Sequence, residues 1–519
     1  MSLQEKFVAT IQEGYRFKGE TFQLGVGMLN GHPVPEAVVE VPLKTMNRHG
    51  LIAGATGTGK TKTLQVIAEG LSDASVPVVL MDIKGDLSGI AAAGTLNPKI
   101  EERLQLMGLT YKPTAFPVEL MTLSDRRPGV RLRATVSEFG PILLSKILGL
   151  NDTQQGIVAM IFKFCDDNKM PLLDLKDFIK VIQYISNEGK SELEKDYGKI
   201  ATTSTGTILR KVIELQQQGA DAFFGEPSFK VDDLLRTGDD GRGMISIIRV
   251  MELQDRPKLF STFMLSLLAE LYASLPEEGD MDKPKLCLFI DEAHLVFQEA
   301  NEALLQQIET VIKLIRSKGV GIFFCTQNPQ DVPASVLSQL GLKVQHALRA
   351  FTAADRKVIK TAAQNYPLTE FYTTDELLTQ LGIGEALVTL LNEKGIPTPL
   401  VHTLLVPPRS RMDVLTDAEI QTLVQQSRLV PKYATSLDSI SAHEILTQKL
   451  EAAAERTQAE QEQKQSTGRS TTKKEESFFD NPMVKQVGRT AANIITRSLL
   501  GALGLGGRTT TRRRNNRLF

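Results

Sequence analysis

A glycine-rich run at residues 51–63, LIAGATGTGKTKT, contains the residue types and spacing that phosphate binding requires. Gly54, Gly59, Lys60 and Thr61 satisfy the pattern G-x-x-x-x-G-K-[ST], between an apolar strand-like stretch and a helical one. Glycines let main-chain N–H groups close around phosphate oxygens, Lys60 can reach the β- and γ-phosphates, and Thr61 can hold Mg²⁺. The predicted nucleotide-binding residues are Gly54, Ala55, Thr56, Gly57, Thr58, Gly59, Lys60, Thr61 and Lys62.

An acidic pair follows a second apolar run, LCLFIDEAH at residues 286–294. A strand buried on both faces of a parallel sheet would bring Asp291 and Glu292 out at its carboxyl end, where α/β proteins bind ligands. Asp291 would help to order Mg²⁺, and Glu292 would orient or activate the attacking water, which favours hydrolysis over transfer to an acceptor. The alternative is a buried strand that ends in a surface acidic turn.

Two further polar residues flank a third apolar run, GVGIFFCTQNPQDVP at residues 319–333. Gln327 could sense the γ-phosphate or position water, or it could merely cap the strand. Arg316, in KLIRSKG just before this run, could complement the dipole of the preceding helix or reach the nucleotide of a neighbouring subunit.

Strand-like and helix-like patterns alternate around these residues, which predicts an α/β fold of the P-loop NTPase type with a mostly parallel sheet. Helix-period segments interrupt this alternation in the middle of the chain, and a hairpin pattern lies near 385–405. The predicted organisation is a lead-in at 1–45, a first ATPase part at 46–124, a mainly helical insertion at 125–235, a second ATPase part at 236–410, a C-terminal helical segment at 411–465, and a flexible linker with a basic tail at 466–519.

Composition restricts the classes of protein that fit. The 519 residues are 42% hydrophobic, and the net charge is −1. We expect a cytoplasmic protein without a membrane span, because the sequence contains neither an apolar run of 18 residues nor a signal-peptide pattern. The three cysteines are far apart, which suits buried thiols rather than a metal cluster. Five arginines lie in the last twelve residues, which is typical of a solvated end or of a contact with nucleic acid.

Four segments, GATGTGKT, MDIKGD, FIDEAH and RSKGVGIFFCTQNPQDVP, together resemble the HerA/FtsK superfamily of P-loop ATPases, and more narrowly its bacterial HerA-like group (DUF853). The resemblance covers about residues 45–410. It implies that Lys60 and Thr61 bind ATP and Mg²⁺, that Asp291 and Glu292 serve metal and water, and that Gln327 is a sensor. It also implies that Arg316 is an arginine finger acting in a neighbouring subunit, and that Arg349, in HALRAFTAADRK, is a second basic site residue.

The resemblance further implies a homo-oligomer, a hexameric ring that moves DNA or protein. The accessory patterns of the superfamily differ here: only some 45 residues precede the loop, too few for an N-terminal β-barrel, and no winged-helix pattern is visible. If DNA is bound, duplex without sequence preference is favoured, because aromatic content is 6% and tryptophan is absent.

Two other functions stay open from sequence. The first is an ATP-dependent switch or a protein-directed ATPase that does not act on DNA. The second is a P-loop kinase, for which the sequence offers no recognisable acceptor site. ATP is favoured over GTP because no Asn-Lys-x-Asp motif occurs where a GTPase would place it.

Overall fold

A computed structural model describes residues 1–279, 281–298, 300, 302–437 and 439–467. The chain divides into two compact units, Met1–Gln448 and Lys449–Phe519. The predicted linker and basic tail lie, from residue 468 on, outside the described residues.

Twelve strands in the described residues form one sheet. They are β1 Thr21–Leu29, β2 His32–Pro42, β3 Gly50–Ala53, β4 Val78–Asp82, β5 Val118–Thr122, β6 Val130–Arg131, β7 Ile245–Arg249, β8 Leu286–Ile290, β9 Val320–Thr326, β10 Leu342–Gln345, β11 Glu385–Thr389 and β12 Val401–Leu405.

Seventeen α-helices accompany the sheet in the same part of the chain. They are α1 Leu3–Gly14, α2 Lys60–Asp73, α3 Pro98–Met107, α4 Val136–Ile147, α5 Asp152–Asp167, α6 Leu175–Ser186, α7 Lys190–Tyr197, α8 Thr202–Gln217, α9 Pro257–Ser274, α10 His294–Phe297, α11 Glu302–Ile315, α12 Ala334–Leu337, α13 Ala353–Gln364, α14 Thr374–Gln380, α15 Asp417–Gln425, α16 Val430–Tyr433 and α17 Ala442–Thr467.

The sheet has a parallel part and an antiparallel part, in the order β2-β1-β12-β11-β10-β3-β9-β8-β4-β7-β5-β6. Every neighbouring pair from β10 to β6 is parallel, and every pair from β2 to β10 is antiparallel. β3, β4, β7, β8 and β9 are buried along their whole length, because helices cover both faces of a parallel sheet. The expected α/β fold with a mostly parallel sheet is confirmed.

Residues 1–45 contain more regular structure than the short lead-in that we expected. α1 begins with a capping box between Ser2 and Glu5, and β1 and β2 form a hairpin whose turn residues, Asn30 and Gly31, have φ of +52° and +78°. An Asn-Gly pair adopts such positive φ values readily and matches the twist of the strands it joins. β1 pairs with β12, so this hairpin extends the main sheet.

The segment between β6 and β7 is mainly helical. It contains α4 to α8, and α4, α5 and α6 each bury apolar residues and begin with a capping box. β11 and β12 pair in antiparallel fashion, as the hairpin pattern near 385–405 predicts. The exact domain boundaries stay a prediction. None of the helices in the described part of the chain is long and apolar enough to cross a membrane.

Candidate active site

The carboxyl ends of five neighbouring strands, β10-β3-β9-β8-β4, meet at one edge of the sheet, which we name the carboxyl edge. The register sets Ala53 beside Thr326, and Ile290 beside Phe324. The glycine loop therefore follows β3, Gln327 follows β9, and Asp291 follows β8, on three consecutive strands. This is the edge at which α/β proteins bind their ligands.

Residues 54–59 connect β3 to α2, and three of them have backbone conformations that residues with a Cβ rarely adopt. The φ angles are +151° at Gly54, +79° at Gly57 and +111° at Gly59. A Cβ on Gly54 would lie 2.5 Å from Cβ of His346, whereas a Cβ on Gly57 would meet nothing within 4 Å. The loop is therefore held closely against β10 on one side and is open on the other.

The loop is anchored to the sheet by its own main chain. Gly54 N–H donates to the carbonyl of Thr326 at 3.2 Å, and Ala55 N–H donates to the carbonyl of Ala347 at 2.8 Å. No side chain in the described part of the chain caps the N-terminus of α2, which begins immediately after Gly59. Its first N–H groups consequently lack a side-chain acceptor, which is the arrangement that binds anions.

Lys60 is buried, and its ammonium donates to the carbonyl of Ala55 at 3.2 Å, across the loop that would hold phosphate. Burial lowers the pKa of Lys60, and the neighbouring Lys84 lowers it further. Thr61, in the first turn of α2, is half-buried. The ammonium of Lys62 donates instead to the carbonyl of Met412, so this side chain is engaged with the segment that follows β12.

Asp291 and Glu292 are only 3% and 6% exposed. Asp291 Oδ2 and Glu292 Oε2 are buried and have no hydrogen-bond partner among the described residues. Burial raises the pKa of Asp291 to about 7, although the positive charge of the nearby Lys84 acts to lower it. Glu292 has a φ of +47°, which is strained for a residue with a Cβ and persists only where the surroundings impose it. This pair of carboxyl groups costs stability in the ligand-free protein and can accept a cation and a water molecule.

Lys84 is a residue of this site to which the sequence analysis assigned no role, although it lies in the quoted run MDIKGD. Its ammonium forms an ion pair with Glu292 Oε1. Burial lowers the pKa of Lys84, but the hydrogen bond to Glu292 and the charge of Asp291 outweigh that effect, and the net shift is upward. The signal in the sequence was a Lys-Gly-Asp turn directly after a buried strand.

The turn that carries Lys84 is built on a buried carboxylate. Asp82, at the end of β4, is 1% exposed and accepts main-chain hydrogen bonds from Gly85 at 2.6 Å and Asp86 at 3.2 Å. Gly85 has a φ of +79°, which lets the chain reverse here. Lys84 is thus presented to the acidic pair by a fixed loop.

His346 is a second residue that the sequence analysis missed. It follows β10, is fully buried, and its Nε2 lies 2.9 Å from the hydroxyl of Thr63 on α2. Burial, together with the charge of Lys60, lowers the pKa of His346 to about 4, so the ring is neutral at pH 7. This side chain packs against the glycine loop and connects it to α2. No local motif identifies it.

Gln327 is exposed at the end of β9. It lines an open depression of about 440 Å³ together with His294, Asn328 and Asp331. The preceding Thr326 is fixed by a 2.5 Å hydrogen bond from its hydroxyl to Asp331 Oδ2. His294 Nδ1 lies 3.2 Å from Glu292 Oε2, so this depression adjoins the acidic pair.

The two predicted arginines lie at different edges. Arg349 is exposed, two residues beyond Ala347, at the carboxyl edge. Arg316 is also exposed, but it lies between α11 and β9, at the amino ends of the strands. The seven residues of β9 separate this amino edge from the glycine loop by roughly 20 Å. Arg316 therefore does not reach the loop of its own chain.

The carboxyl edge fits a nucleoside triphosphate with Mg²⁺. Among the described residues, the loop offers open space, N–H groups without a side-chain cap and a lysine, and Asp291 Oδ2 is a carboxyl oxygen without a hydrogen-bond partner. Within the described residues, no group of three or more His, Cys, Asp or Glu side chains could hold a metal ion alone. Mg²⁺ is usually bound by one or two protein groups together with phosphate oxygens, and Thr61 with Asp291 matches that requirement.

Comparison with known proteins agrees with this geometry. The family model "Helicase HerA-like C-terminal" matches residues 28–510. The DNA double-strand break repair helicase HerA of Sulfolobus acidocaldarius is 21% identical over 381 residues, covering 72% of this chain and 68% of the relative. A probable helicase of Methanocaldococcus jannaschii is 25% identical over 366 residues, covering 69% of this chain and 63% of the relative. The chain thus spans about two thirds of the length of these relatives.

Among solved structures, the bacterial conjugative coupling protein TrwBdeltaN70 aligns with a TM-score of 0.51 and 15% identity, over 79% of this chain and 94% of that one. At this identity the likeness shows a shared fold. The family match covers most of the chain and includes the glycine loop, the acidic pair, Gln327 and both arginines. The chain therefore belongs to the helicase HerA-like C-terminal family.

Proposed function

We propose that this chain is an ATP-hydrolysing motor that works on double-stranded DNA as a ring of identical subunits, a hexamer. The observation that carries the proposal is the presence of the glycine loop, Gln327 and the Asp291–Glu292 pair at the ends of three consecutive parallel strands. A phosphate-binding loop alone would suit many reactions. Buried acidic groups beside it favour hydrolysis, because they can hold a metal ion and an attacking water close to the terminal phosphate.

Each residue of the site has a separate task in this proposal. The main-chain N–H groups of residues 54–60 and the ammonium of Lys60 hold the phosphates, Lys60 exchanging its bond to Ala55 for phosphate oxygens. Thr61 and Asp291 would hold Mg²⁺, which would supply charge neutralisation at the phosphates. Glu292 accepts a hydrogen bond from the attacking water, and Gln327 positions that water or senses the γ-phosphate.

A ring is favoured by the position of Arg316. An arginine at the amino edge cannot act on its own nucleotide, but head-to-tail packing of identical subunits brings the amino edge of one subunit against the carboxyl edge of the next. Arg316 then serves the site of the neighbour, where a guanidinium stabilises the charge that develops on the phosphates. Arg349 is the second basic residue at the receiving site.

DNA is the proposed polymer because curated relatives that match over two thirds of this chain are named as DNA double-strand break repair helicases. Contacts to the phosphate backbone would explain binding without sequence preference. We place the protein in the cytoplasm, which suits its three free, buried cysteines.

Phosphate release from ATP, with and without duplex DNA and at several salt concentrations, tests this function. We expect hydrolysis that DNA stimulates and salt weakens, and that Lys60→Ala abolishes in both conditions. Hydrolysis that depends on Lys60 but is not stimulated by DNA at any salt concentration would favour the alternative function, a protein-directed ATPase or an ATP-dependent switch. The absence of any Lys60-dependent hydrolysis, with folded and assembled protein, would overturn the proposal.

A further inference from the structure

Lys84 and Glu292 form an ion pair although they lie on different strands and more than 200 residues apart in the chain. Lys84 follows β4 and Glu292 follows β8, and these strands are parallel neighbours whose register pairs Met81 with Ile290. The ammonium contacts Oε1 of Glu292, and the glutamate side chain is 8% exposed, compared with 38% for the lysine side chain. The sheet itself therefore brings the two groups together.

The two carboxylate oxygens of Glu292 are in different situations. Oε1 is held by Lys84, whereas Oε2 is buried and has no hydrogen-bond partner among the described residues. His294 Nδ1 lies 3.2 Å from Oε2 but does not form a hydrogen bond with it. A general base needs this division, one oxygen fixed by an orienting group and the other free to accept a proton from the nucleophile.

The buried surroundings of Glu292 favour an orienting partner. Glu292 has a φ of +47°, and the side chain leaves the main chain from this strained position with Asp291 beside it. Without a cation on Oε1, a charged Glu292 would lie buried beside Asp291 with no countercharge on that oxygen. Lys60 is another cation close to the pair, and the proposed function assigns that ammonium to the phosphates.

We propose that Lys84 is the positioning residue for Glu292: its ammonium anchors Oε1 so that Oε2 points to the attacking water. This inference rests on the proposed hydrolysis of ATP and adds to it a residue that acts through Glu292. Lys84 thus affects the rate of the chemical step and leaves nucleotide affinity unchanged.

A double-mutant cycle tests this assignment, with Lys84→Ala, Glu292→Gln, the double variant and Lys84→Arg, all in the full chain. The readouts are kcat for phosphate release and the Kd for a fluorescent ATP analogue. Lys99→Ala is the matched control, because Lys99 is exposed on α3. Circular dichroism and thermal unfolding check that each variant is folded.

We expect Lys84→Ala to lower kcat roughly 10- to 100-fold, the range produced when a catalytic group is misplaced, with an unchanged Kd. Lys84→Arg should recover part of kcat, since it restores a cation. In the Glu292→Gln background the loss of Lys84 should have no further effect, because groups that act as one unit are not additive.

Two results would overturn the assignment while leaving the proposed function intact. One is a Lys84→Ala protein with the kcat of wild type. The other is a raised Kd together with a further loss of kcat in the Glu292→Gln background, which would mean that Lys84 acts on the nucleotide directly. If wild type and Lys99→Ala release no phosphate at all, the proposed function itself is wrong. This result differs from the two results above, in which wild type hydrolyses ATP.

Discussion

The two ends of the same parallel strands differ in how their buried polar groups are satisfied. At the amino edge, His49 precedes β3 and uses both ring nitrogens: Nδ1 accepts from Ile322 N–H at 3.0 Å and Nε2 lies 2.9 Å from the carbonyl of Ile312. Burial lowers the pKa of His49 to about 4, and the neutral ring holds β3, α11 and β9 together. At the carboxyl edge, Asp291 and Glu292 each leave a buried oxygen without a hydrogen-bond partner among the described residues.

The difference indicates which edge is built for stability and which for chemistry. A buried polar atom without a partner costs about 1–3 kcal/mol, and such a cost persists where a ligand later satisfies the atom. At the amino edge, His49 finds partners within the chain for both ring nitrogens and Arg316 is exposed, whereas in the proposed function a ligand completes the carboxyl edge. The predictions below test this division, beginning with the largest expected effect.

Arg316→Ala should lower the rate of ATP hydrolysis by roughly 10³-fold, the usual contribution of an arginine finger, while ATP binding is retained. The reason is that Arg316 lies at the amino edge, away from its own glycine loop. Steady-state hydrolysis and ATP titration of the assembled protein measure the two quantities. Lys313→Ala, which removes an exposed cation from the neighbouring last turn of α11, is the control and should be active. Full activity of Arg316→Ala would exclude this residue from the reaction.

Asp291→Asn should stabilise the nucleotide-free protein while abolishing hydrolysis. Burial raises the pKa of Asp291 to about 7 from an ordinary value near 3.8. The folded state therefore holds this proton more tightly than the unfolded state, and stability is lost as pH rises from about 4 through about 7. The neutral amide introduced by Asp291→Asn does not ionise, so this loss of the free energy of unfolding does not occur. The difference between variant and wild type should be on the order of a few kcal/mol at pH 8 and small at pH 4.

Urea unfolding of wild type and Asp291→Asn at pH 5 and pH 8, without nucleotide, measures this effect. The advantage of the variant should be larger at pH 8. An advantage that is absent at pH 8 would mean that the acidic pair carries no cost in the folded protein.

Gly54→Ala should weaken ATP binding about 10-fold, since strain of 1–3 kcal/mol is expected where a Cβ enters a positive-φ position. The new Cβ would also collide with His346. Gly57→Ala is the matched control for the collision, because its φ is also positive but its Cβ would meet no described atom within 4 Å. Since the nucleotide is proposed to bind on that open side, thermal unfolding without ATP compares the stability of the two variants, and ATP titration measures the binding loss of Gly54→Ala. Equal losses in the two variants would show that the contact with His346 is irrelevant to the loop.

Lys62→Ala should have the smallest effect, a loss of about 1 kcal/mol of stability, the usual contribution of one hydrogen bond. The lysine donates to the carbonyl of Met412, so kcat and ATP affinity should stay close to those of wild type. Denaturant unfolding and steady-state kinetics check both statements. A marked loss of ATP affinity in this variant would mean that the Lys62 side chain contributes to nucleotide binding.

The parts of the site encoded by contiguous residues could be predicted from the sequence. The glycine loop and the Asp291–Glu292 pair each follow an apolar strand. The residue types of the loop indicate phosphate binding, and those of the pair indicate binding of a metal ion and water. Gln327 and Arg316 were named in the same way, at the two ends of the run that forms β9, and their roles stay predictions. Parallel strands and intervening helices followed from the same alternation of patterns.

The remaining parts depend on contacts between distant segments. His346 contacts Thr63 only because β10 pairs with β3, and Lys84 meets Glu292 only because β4 pairs with β8. Local periodicity predicts strands but not which strands are neighbours in the sheet, so neither contact could be predicted from the sequence. The β1–β2 hairpin was missed for a different reason: its Asn30–Gly31 turn is a local signal that the interpretation of residues 1–45 as a lead-in overlooked.

The most direct test of the central claim, that the carboxyl edge of one subunit is completed by the amino edge of its neighbour, is a mixing experiment. Lys60→Ala and Arg316→Ala proteins are assembled together, with differently tagged subunits to confirm mixed assemblies, and phosphate release is measured. Each protein alone should be inactive. The mixture should recover part of the wild-type activity, because the intact loops of one variant receive Arg316 from the other. Mixed assemblies as inactive as their components would contradict the account.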